Sequence, residues 1–298
     1  MRTTVNQQSF RELQQSFGFD GLQFSEGNGG LIRGKIDIDQ AQGEFYLHGG
    51  HVTGFQPKGH NPILWMSQES YFESGKPIRG GIPICFPWFG SHPSNPSEPG
   101  HGRARLSPWT VQATARTDQN EVMVQLGLSL DAFDLVYRIV FGSSLKLQLT
   151  TRLNPPEKGP VRFEEALHTY FTIGDVRKIS ITGLESSAYI DKVASLSRRD
   201  ATQEAIRFDS ETDRIYQNTT ATCWLHDPVL SRTIAVRKSG SQSTVVWNPW
   251  LAKSARMPDF GDHEWPSMVC IESANVGDHS VELRPGESHS LQVEISVL

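Results

Sequence analysis

Residues 135–153 read LVYRIVFGSSLKLQLTTRL, and this stretch decides the kind of fold that the chain adopts. In its second half, Leu145, Leu147 and Leu149 alternate with polar residues. Successive side chains of a β-strand point to opposite faces, so this alternation is typical of a strand with one apolar face. The two apolar segments meet at Gly142-Ser143, where glycine permits a tight turn. The stretch therefore predicts a half-buried antiparallel hairpin.

Two further segments, 121–130 and 289–297, show the same period of two. Their apolar faces are formed by Val122, Val124, Leu126, Leu128 and Leu130, and by Leu291, Val293, Ile295 and Val297. Residues 7–17 instead carry Phe10, Leu13 and Phe17 at spacings of three and four, which predicts a short helix. No shift in composition marks a domain boundary. We therefore predict an all-β fold of antiparallel strands with few short helices, one β-sandwich domain spanning residues 1–298.

The charge and composition restrict the classes of partner. The 298 residues carry a formal net charge of −5, whereas a nucleic-acid-binding surface needs a broad basic patch. No apolar run approaches the roughly 20 residues that cross a bilayer, and the start, MRTTVNQQSF, lacks the apolar centre of a signal peptide. Cys85, Cys223 and Cys270 are widely spaced and odd in number, which favours reduced, buried thiols. We expect a cytoplasmic protein without a nucleic-acid or membrane partner.

Residues 76–109, KPIRGGIPICFPWFGSHPSNPSEPGHGRARLSPW, combine many glycines and prolines with apolar side chains. The apolar side chains can offset the entropy of ordering such an irregular segment, so a disordered linker is disfavoured. Arg79, Arg103 and Arg105 carry guanidinium groups, which bind phosphate or carboxylate in a bidentate manner. Arg103 and Arg105 would project to the same side of a strand. We interpret the segment as one rim of a cleft for an anionic ligand, with solvated surface arginines as the alternative.

His168, in the segment RFEEALHTYFTI, is the first candidate for proton transfer. On a continuous strand it shares a face with Glu164 and Tyr170, opposite Leu167 and Phe171. If the core takes the Leu and Phe side, His168 faces a polar environment, and an imidazole pKa of about 6.5 suits acid–base chemistry there. A surface or structurally hydrogen-bonded histidine is the alternative.

Glu272, in the segment MVCIESANV, is the second candidate. A strand here places Met268, Cys270 and Glu272 on one face, opposite Val269 and Ile271. A carboxylate that ends an apolar run is partly removed from water, which raises its pKa toward that of a working base. The alternative is a glutamate that ends a strand at the surface.

Two other motifs are weaker indications of a site. The histidines of HGGH at 48–51 lack a second cluster of ligands, so we predict no metal site. The motif WNPW at 247–250 has the side chains for stacking on a sugar ring, although large aromatic residues more often belong to a core.

Six motifs together resemble the aldose 1-epimerase superfamily, specifically its hexose-6-phosphate mutarotase branch. They are IRGGIPICFPWFG (78–90), HGRARLSPW (101–109), ALHTYF (166–171), ETDRIY (211–216), VVWNPW (245–250) and MVCIE (268–272). They occur in the order that the family has, so the resemblance covers most of the chain. It implies a galactose-mutarotase-like β-supersandwich, in agreement with the alternating patterns.

The resemblance also implies which residues form the site. The matching positions are His168 and Glu272 for the catalytic pair, Arg79 and Arg105 for the arginines that hold the sugar phosphate, and Asp213 and His101 for the sugar side of the cleft. Gly100 and Arg103 depart from the family, which often has glutamine and an aromatic residue there. These changes remove one hydroxyl contact and add one charge.

The activity that the resemblance implies is interconversion of the α and β anomers of glucose 6-phosphate and related hexose 6-phosphates. Ring opening and reclosure need one acid and one base, so no cofactor is expected, and the resemblance implies a monomer whose partner is a small sugar phosphate. Two alternatives stay open. One is a non-catalytic sugar-phosphate-binding or sensor protein on the same scaffold. The other is a β-sandwich lyase or hydrolase that uses Glu272 with Asp213.

Overall fold

The alternating segments of the sequence form strands in the computed structural model, which describes residues 9–155 and 159–298. The first half of these residues contains β1 (Leu22–Glu26), β2 (Ile32–Ile38), β3 (Ala41–Tyr46), β4 (His51–Pro57), β5 (Ile84–Cys85), β6 (Thr110–Arg116), β7 (Val122–Leu130), β8 (Phe133–Phe141) and β9 (Leu145–Leu153). The second half contains β10 (Val161–Phe163), β11 (Glu165–Leu167), β12 (Tyr170–Thr172), β13 (Ser180–Thr182), β14 (Tyr189–Asp191), β15 (Ser197–Arg199), β16 (Thr212–Gln217), β17 (Cys223–Asp227), β18 (Arg232–Ser239), β19 (Ser243–Asn248), β20 (Met268–Asn275), β21 (Val281–Leu283) and β22 (Ser288–Val297).

The helices within the described residues are short. They are α1 (Phe10–Phe17) and α2 (Trp250–Ser254), with 3₁₀ turns at Asn28–Gly30, Ala104–Leu106, Trp265–Ser267 and Gly277–His279. Helix α1 begins at a capping box in which the Ser9 side chain accepts from the Glu12 N–H and the Glu12 carboxylate accepts from the Ser9 N–H. The predicted short helix is confirmed from residue 10. Residues 1–8, including the chain start that lacks a signal-peptide pattern, lie outside the described residues.

The strands assemble into antiparallel sheets. Sheet A has the order β1-β2-β3-β4, sheet B the order β15-β14-β16-β19-β20-β11-β5 with β12 also on β20, and sheet C the order β13-β17-β18-β22-β9-β8-β7-β6. Strands β10 and β21 form a separate pair. The predicted hairpin is confirmed in sheet C, where β8 and β9 pair from Phe133 opposite Leu153 to Phe141 opposite Leu145. The predicted all-β architecture is therefore the observed one.

One hydrophobic core joins the sheets. It contains the apolar faces of the predicted strands β7, β9 and β22 together with Phe45 and Phe55 of sheet A. The ring of Phe141, at the end of β8, lies 6.5 Å from that of Phe45 and 6.4 Å from that of Phe55, measured between centroids. These contacts bind sheet A to sheet C because large aromatic side chains bury the most apolar surface.

The side chains of strand β20 alternate between two faces, as predicted, and the two faces pack in different clusters. Val269 and Ile271 belong to the main core, whereas Met268 and Cys270 pack in a second cluster with Trp65, Tyr170 and Trp247. Glu272 follows Cys270 at the next position on the second face. The face of sheet B away from the main core is therefore built from aromatic residues around one carboxylate.

The segment 76–109 packs closely against sheets A and B. Its strand β5 pairs with β11, and Gly81 and Gly102 adopt positive φ angles of 59° and 75°. A Cβ atom at Gly81 would overlap the carbonyl oxygen of Val52, and one at Gly102 would overlap that of Phe86. Glycine is therefore required at both positions, because it alone permits this approach at a positive φ.

Two further features concern the cysteines and the lengths of the helices. The three cysteines, Cys85, Cys223 and Cys270, are free and buried, as predicted. No helix among residues 9–155 and 159–298 has the length and apolar character needed to cross a membrane.

Candidate active site

His168 lies next to Glu272 at an interruption between two short strands. Strands β11 and β12 both pair with β20, with Leu167 opposite Ser273 and Tyr170 opposite Cys270. His168 lies in the gap between β11 and β12, and its Nε2 is 3.2 Å from Oε1 of Glu272. The two candidate residues therefore form a direct pair.

The prediction of one continuous strand through 162–173 is wrong. The segment is divided into β10, β11 and β12, and His168 and Thr169 lie in no strand. The His168 N–H donates to the Pro83 carbonyl oxygen, and the Thr169 N–H donates to the Leu167 carbonyl oxygen. The ladder is interrupted because the loop before β5 takes the hydrogen bond that a neighbouring strand would otherwise make.

His168 faces the charged groups of a cavity, but it is also buried among aromatic rings. His168 is only 7% exposed, and its ring stacks on Tyr170 with centroids 4.9 Å apart and an interplanar angle of 18°. Trp247 and Phe89 stand at 6.1 and 6.4 Å. Burial lowers the pKa of His168 well below its ordinary value, and the positive charges of Arg105 and Arg79 add to this effect. A buried imidazolium at this position is therefore a stronger acid than an exposed one.

Glu272 lies in the middle of β20 and is 1% exposed, so the alternative of a strand end at the surface is wrong. Burial raises the pKa of Glu272 well above its ordinary value, and the negative charge of Asp213 raises it further. The expected direction of the shift is thus present in the structure. A carboxylate tuned in this way holds a proton closer to neutral pH, as a general base must.

All six residues that the family resemblance implied line one cavity of about 250 Å³. Its lining consists of Arg79, Phe89, His101, Arg105, His168, Tyr170, Lys192, Asp213, Trp247, Lys253, Met257 and Glu272. The segment 76–109 supplies one rim, as predicted. The structure also holds larger surface depressions, but these lie on sheet C and around β13 and β17, away from the pair of His168 and Glu272.

The two arginines of the cavity are held differently. Arg79 makes a bidentate contact with Asp259, with Nε and Nη2 each 3.2 Å or less from the carboxylate, and its Nη1 donates to the Tyr170 hydroxyl at 2.9 Å. Arg105 donates from Nη2 to the Gly100 carbonyl oxygen at 2.7 Å. Arg79 is thus fixed by a carboxylate, whereas Arg105 has no ion pair among the described residues.

The prediction that Arg103 and Arg105 project to the same side is wrong. Ala104–Leu106 form a 3₁₀ turn instead of a strand, so successive side chains diverge by about a third of a turn. Arg103 points away from the cavity and pairs with Asp131 and Glu98. Only Arg105 of this pair is available to a ligand in the cavity.

His101 contributes a neutral hydrogen-bond donor. Its Nδ1 accepts from the Gly90 N–H at 3.3 Å and lies 3.4 Å from the Cys85 sulfur. Burial lowers the pKa of His101 well below its ordinary value, with Arg105 as the next cause. We assign the ring proton to Nε2, because Nδ1 is occupied as an acceptor.

Two lysines of the cavity had no signal in the sequence. Lys192 Nζ is 3.0 Å from Oδ2 of Asp213, and Lys253 Nζ is 2.9 Å from Glu211 and 3.9 Å from the same Asp213 oxygen. Lys192 follows β14 and Lys253 lies in α2, each in a segment without a motif that we singled out. Only the surrounding fold brings them to Asp213.

Of the two weaker motifs, HGGH and WNPW, only Trp247 contributes to the cavity. His48 and His51 place their Nε2 atoms 2.7 Å from the Lys76 and 2.8 Å from the Gly80 carbonyl oxygens, so they support the loop that carries Arg79. Burial lowers the pKa of His51 to about 3, which keeps it neutral. Trp247 lines the cavity, whereas Trp250 packs on Trp265 with centroids 4.4 Å apart.

Comparisons with known proteins find similar chains and a similar fold. A Cenchrus ciliaris protein provisionally named glucose-6-phosphate 1-epimerase is 33% identical over 270 residues, covering 86% of this chain and 81% of the relative. A protein of Escherichia coli K12 with the same provisional name is 31% identical over 266 residues, covering 86% and 87%. The solved structure of YeaD from Salmonella typhimurium, provisionally described as a mutarotase, superimposes with a TM-score of 0.86 at 30% identity and covers 94% of each chain.

The family comparison covers the same elements that build the cavity. The profile of the aldose 1-epimerase family matches residues 35–296, which include every residue that lines the cavity. Together with the relatives, this match establishes that the chain belongs to the aldose 1-epimerase family.

Proposed function

We propose that this protein is a hexose-6-phosphate mutarotase, an isomerase that interconverts the α and β anomers of glucose 6-phosphate and related hexose 6-phosphates. The observation that carries the proposal is the buried pair of His168 and Glu272, 3.2 Å apart, in a cavity that also holds the guanidinium group of Arg105. The pair supplies an acid and a base, and the arginine supplies a partner for an anionic substituent.

Anomer exchange requires two proton transfers at one carbon centre. In the proposed mechanism Glu272 accepts the proton of the C1 hydroxyl while the bond between C1 and the ring oxygen breaks and His168 delivers a proton to that oxygen. The open aldehyde turns about the bond between C1 and C2. Reclosure on the other face reverses both transfers, so the enzyme returns to its starting protonation. Each positioned group contributes about 10²–10⁴-fold to the rate.

The phosphate group of the substrate is proposed to bind the arginines and so orient the sugar. Arg105 and Arg79 face the cavity, and a guanidinium group binds phosphate in a fixed geometry. Arg79 is already held by Asp259 and Tyr170, so the N–H that it has left is rigidly placed and needs little ordering on binding. Remote binding of this kind is converted into correct orientation at C1.

A neutral donor and a carboxylate are proposed to hydrogen-bond the sugar oxygens. The Nε2–H of His101 donates to an oxygen of the sugar, and Asp213 accepts from a hydroxyl. Lys192 holds the Asp213 carboxylate at 3.0 Å and thereby fixes its orientation. The Trp247 ring on the wall of the cavity provides an apolar surface for a sugar face.

The test is the rate of anomer exchange of glucose 6-phosphate, measured by magnetisation-transfer NMR with catalytic amounts of protein and with glucose as a parallel substrate. We expect acceleration for glucose 6-phosphate and much weaker acceleration for glucose. Equal acceleration of both sugars would contradict the role of the arginines. Binding of glucose 6-phosphate without any acceleration would contradict the mutarotase and support the sensor protein.

A further inference from the structure

A third ligand-type side chain lies beside the proposed acid–base pair. Donor atoms of His168, Cys270 and Glu272 all lie within 4.8 Å of one another. The three side chains are 7%, 0% and 1% exposed, respectively. The proposed mutarotase mechanism uses His168 and Glu272 but gives no role to the thiol.

These three donors match the ligands that zinc prefers. Zinc is bound by imidazole nitrogen, thiolate sulfur and carboxylate oxygen, and catalytic sites use three protein ligands with one open position. Softer metals favour thiolate, whereas magnesium and calcium favour oxygen ligands alone. Two donors on one tetrahedral zinc ion are about 3.3–3.6 Å apart. His168 Nε2 and Glu272 Oε1 are already separated by 3.2 Å, and no two of the three donor atoms are more than 4.8 Å apart. Side-chain movements of about 1 Å therefore bring the three donors to zinc distances.

An unpartnered buried oxygen at the same place is an independent indication of a ligand. Oε2 of Glu272 is buried and, among the residues that the structure describes, has no hydrogen-bond partner. A buried polar atom without a partner is costly and uncommon. A cation at the carboxylate would satisfy the free oxygen, because a metal ion accepts the lone pair that no donor reaches.

The surrounding charges do not oppose a divalent ion strongly. Three of the four cationic side chains of the cavity are neutralised by carboxylates. The pairs are Arg79 with Asp259 at 3.0 Å, Lys192 with Asp213 at 3.0 Å and Lys253 with Glu211 at 2.9 Å. Arg105 is the cation without such a partner within the described part of the chain.

We propose that His168, Cys270 and Glu272 form a zinc site that faces the cavity. Binding replaces the thiol proton of Cys270, which leaves to solvent, and forms a bond between sulfur and the metal. The open fourth position points into the cavity and takes water. The ion occupies the imidazole and the carboxylate, so a zinc-loaded molecule has neither an acid nor a base free for a sugar. This inference goes beyond anomer exchange and describes an inhibitory state of the same residues.

The test uses Co²⁺ as a spectroscopic substitute for Zn²⁺ in the full-length protein. We expect a thiolate-to-cobalt charge-transfer band in the near ultraviolet that saturates at one ion per chain and disappears when Zn²⁺ is added. Cys270→Ser and Cys270→Ala should both lose the band, with folding checked by circular dichroism. Cys223→Ser is the matched control, because Cys223 is equally free and buried but lies in sheet C.

Three outcomes would contradict the proposed zinc site. A wild-type protein without the band, a band that persists in both Cys270 variants, or a band lost in Cys85→Ser would each contradict it. The Cys85 variant matters because Cys85 lies 3.4 Å from a second imidazole nitrogen, that of His101. Glu272→Gln should weaken Co²⁺ binding by more than about tenfold, since it removes a ligand.

The cobalt band needs no turnover, so it tests the metal site even if anomer exchange is absent. Where exchange is measurable, Zn²⁺ should inhibit the wild type and excess EDTA should restore its rate. In Cys270→Ser the zinc concentration for half inhibition, relative to its own zinc-free rate, should rise by more than about tenfold. An unchanged zinc sensitivity in this variant would contradict the thiol as a ligand.

Discussion

At the scale of single residues, burial shifts the pKa values of His168 and Glu272 in opposite directions. Removal from water disfavours the charged form of each group, so the pKa of the imidazole is lowered and that of the carboxyl is raised. The carboxylate of Glu272 is therefore a stronger base, and the imidazolium of His168 a stronger acid, than the same groups in water. The contact of 3.2 Å keeps both groups at one reaction centre, which suits a reaction in which acid and base reverse roles.

Glu272→Gln tests the base. The substitution keeps the size of the side chain but cannot accept the proton of the C1 hydroxyl. We expect the NMR exchange rate to fall about 10²–10⁴-fold, with little change in the affinity for glucose 6-phosphate measured by calorimetry. The control is Glu282→Gln, an exposed carboxylate paired with Arg162. A rate within a few-fold of the wild type would rule out Glu272 as the base.

Arg105→Ala tests the phosphate handle. A charged hydrogen bond contributes about 1.5–3 kcal/mol, so we expect KM for glucose 6-phosphate to rise by about 10- to 100-fold. The slow exchange of unphosphorylated glucose should not change. Arg103→Ala is the matched control, because Arg103 belongs to the same turn but pairs with Asp131. An equal effect of the two variants, or an equal loss for both sugars, would contradict a phosphate contact.

At the scale of elements, strand β20 organises the site. It pairs with β19, β11 and β12, and its outward face carries Cys270 and Glu272. The gap between β11 and β12 places His168 beside that face. A polar clamp also joins β11 and β20 to β22, where Oε1 of the fully buried Glu165 lies 3.0 Å from His289 Nε2 and accepts from Asn275 Nδ2 at 2.9 Å.

This clamp predicts a pH-dependent contribution to stability. The hydrogen bond to Glu165 raises the pKa of His289 above its ordinary value of 6.5. The stabilisation is therefore fully present below the unfolded pKa and is lost as the pH rises through the folded value. His289→Gln keeps a neutral donor but removes the charge. We expect it to lower the free energy of unfolding by about 1–3 kcal/mol at acidic pH.

The measurement is urea unfolding of both proteins at several pH values between about 5.5 and 9, on either side of the ordinary histidine pKa. The difference between them should be largest at the acidic end and shrink toward the basic end. His60→Gln, at an exposed position, is the control. A difference that grows with pH would show that the charged form of His289 does not stabilise the fold.

At the scale of the whole molecule, one aromatic cluster fastens sheet A to sheet C. Phe141→Ala removes the ring between Phe45 and Phe55 and leaves a cavity, so we expect the free energy of unfolding to fall by about 3–5 kcal/mol. Phe141 does not line the active-site cavity, so KM of the folded fraction should be unchanged. Leu196→Ala, at a side chain that is 66% exposed, is the control. A loss below about 1 kcal/mol would show that the sheets are held together elsewhere.

Local sequence patterns predicted the longer alternating strands and the faces that they bury. The alternation in 121–130, 144–153 and 289–297 predicted β7, β9 and β22, and the alternation in 268–272 predicted the two faces of β20. These predictions hold because the period of side-chain direction is a property of the local backbone. The motifs shared with the family similarly pointed to six residues that line one cavity.

Which side chains meet depends on the tertiary structure. The interruption at His168 depends on the carbonyl of Pro83, far earlier in the chain, and the divergence of Arg103 from Arg105 depends on a turn that alternation does not describe. Lys192 and Lys253 reach Asp213 from two unrelated segments. Such contacts, and the burial that shifts each pKa, depend on neighbours supplied by distant parts of the chain, so no local pattern predicts them.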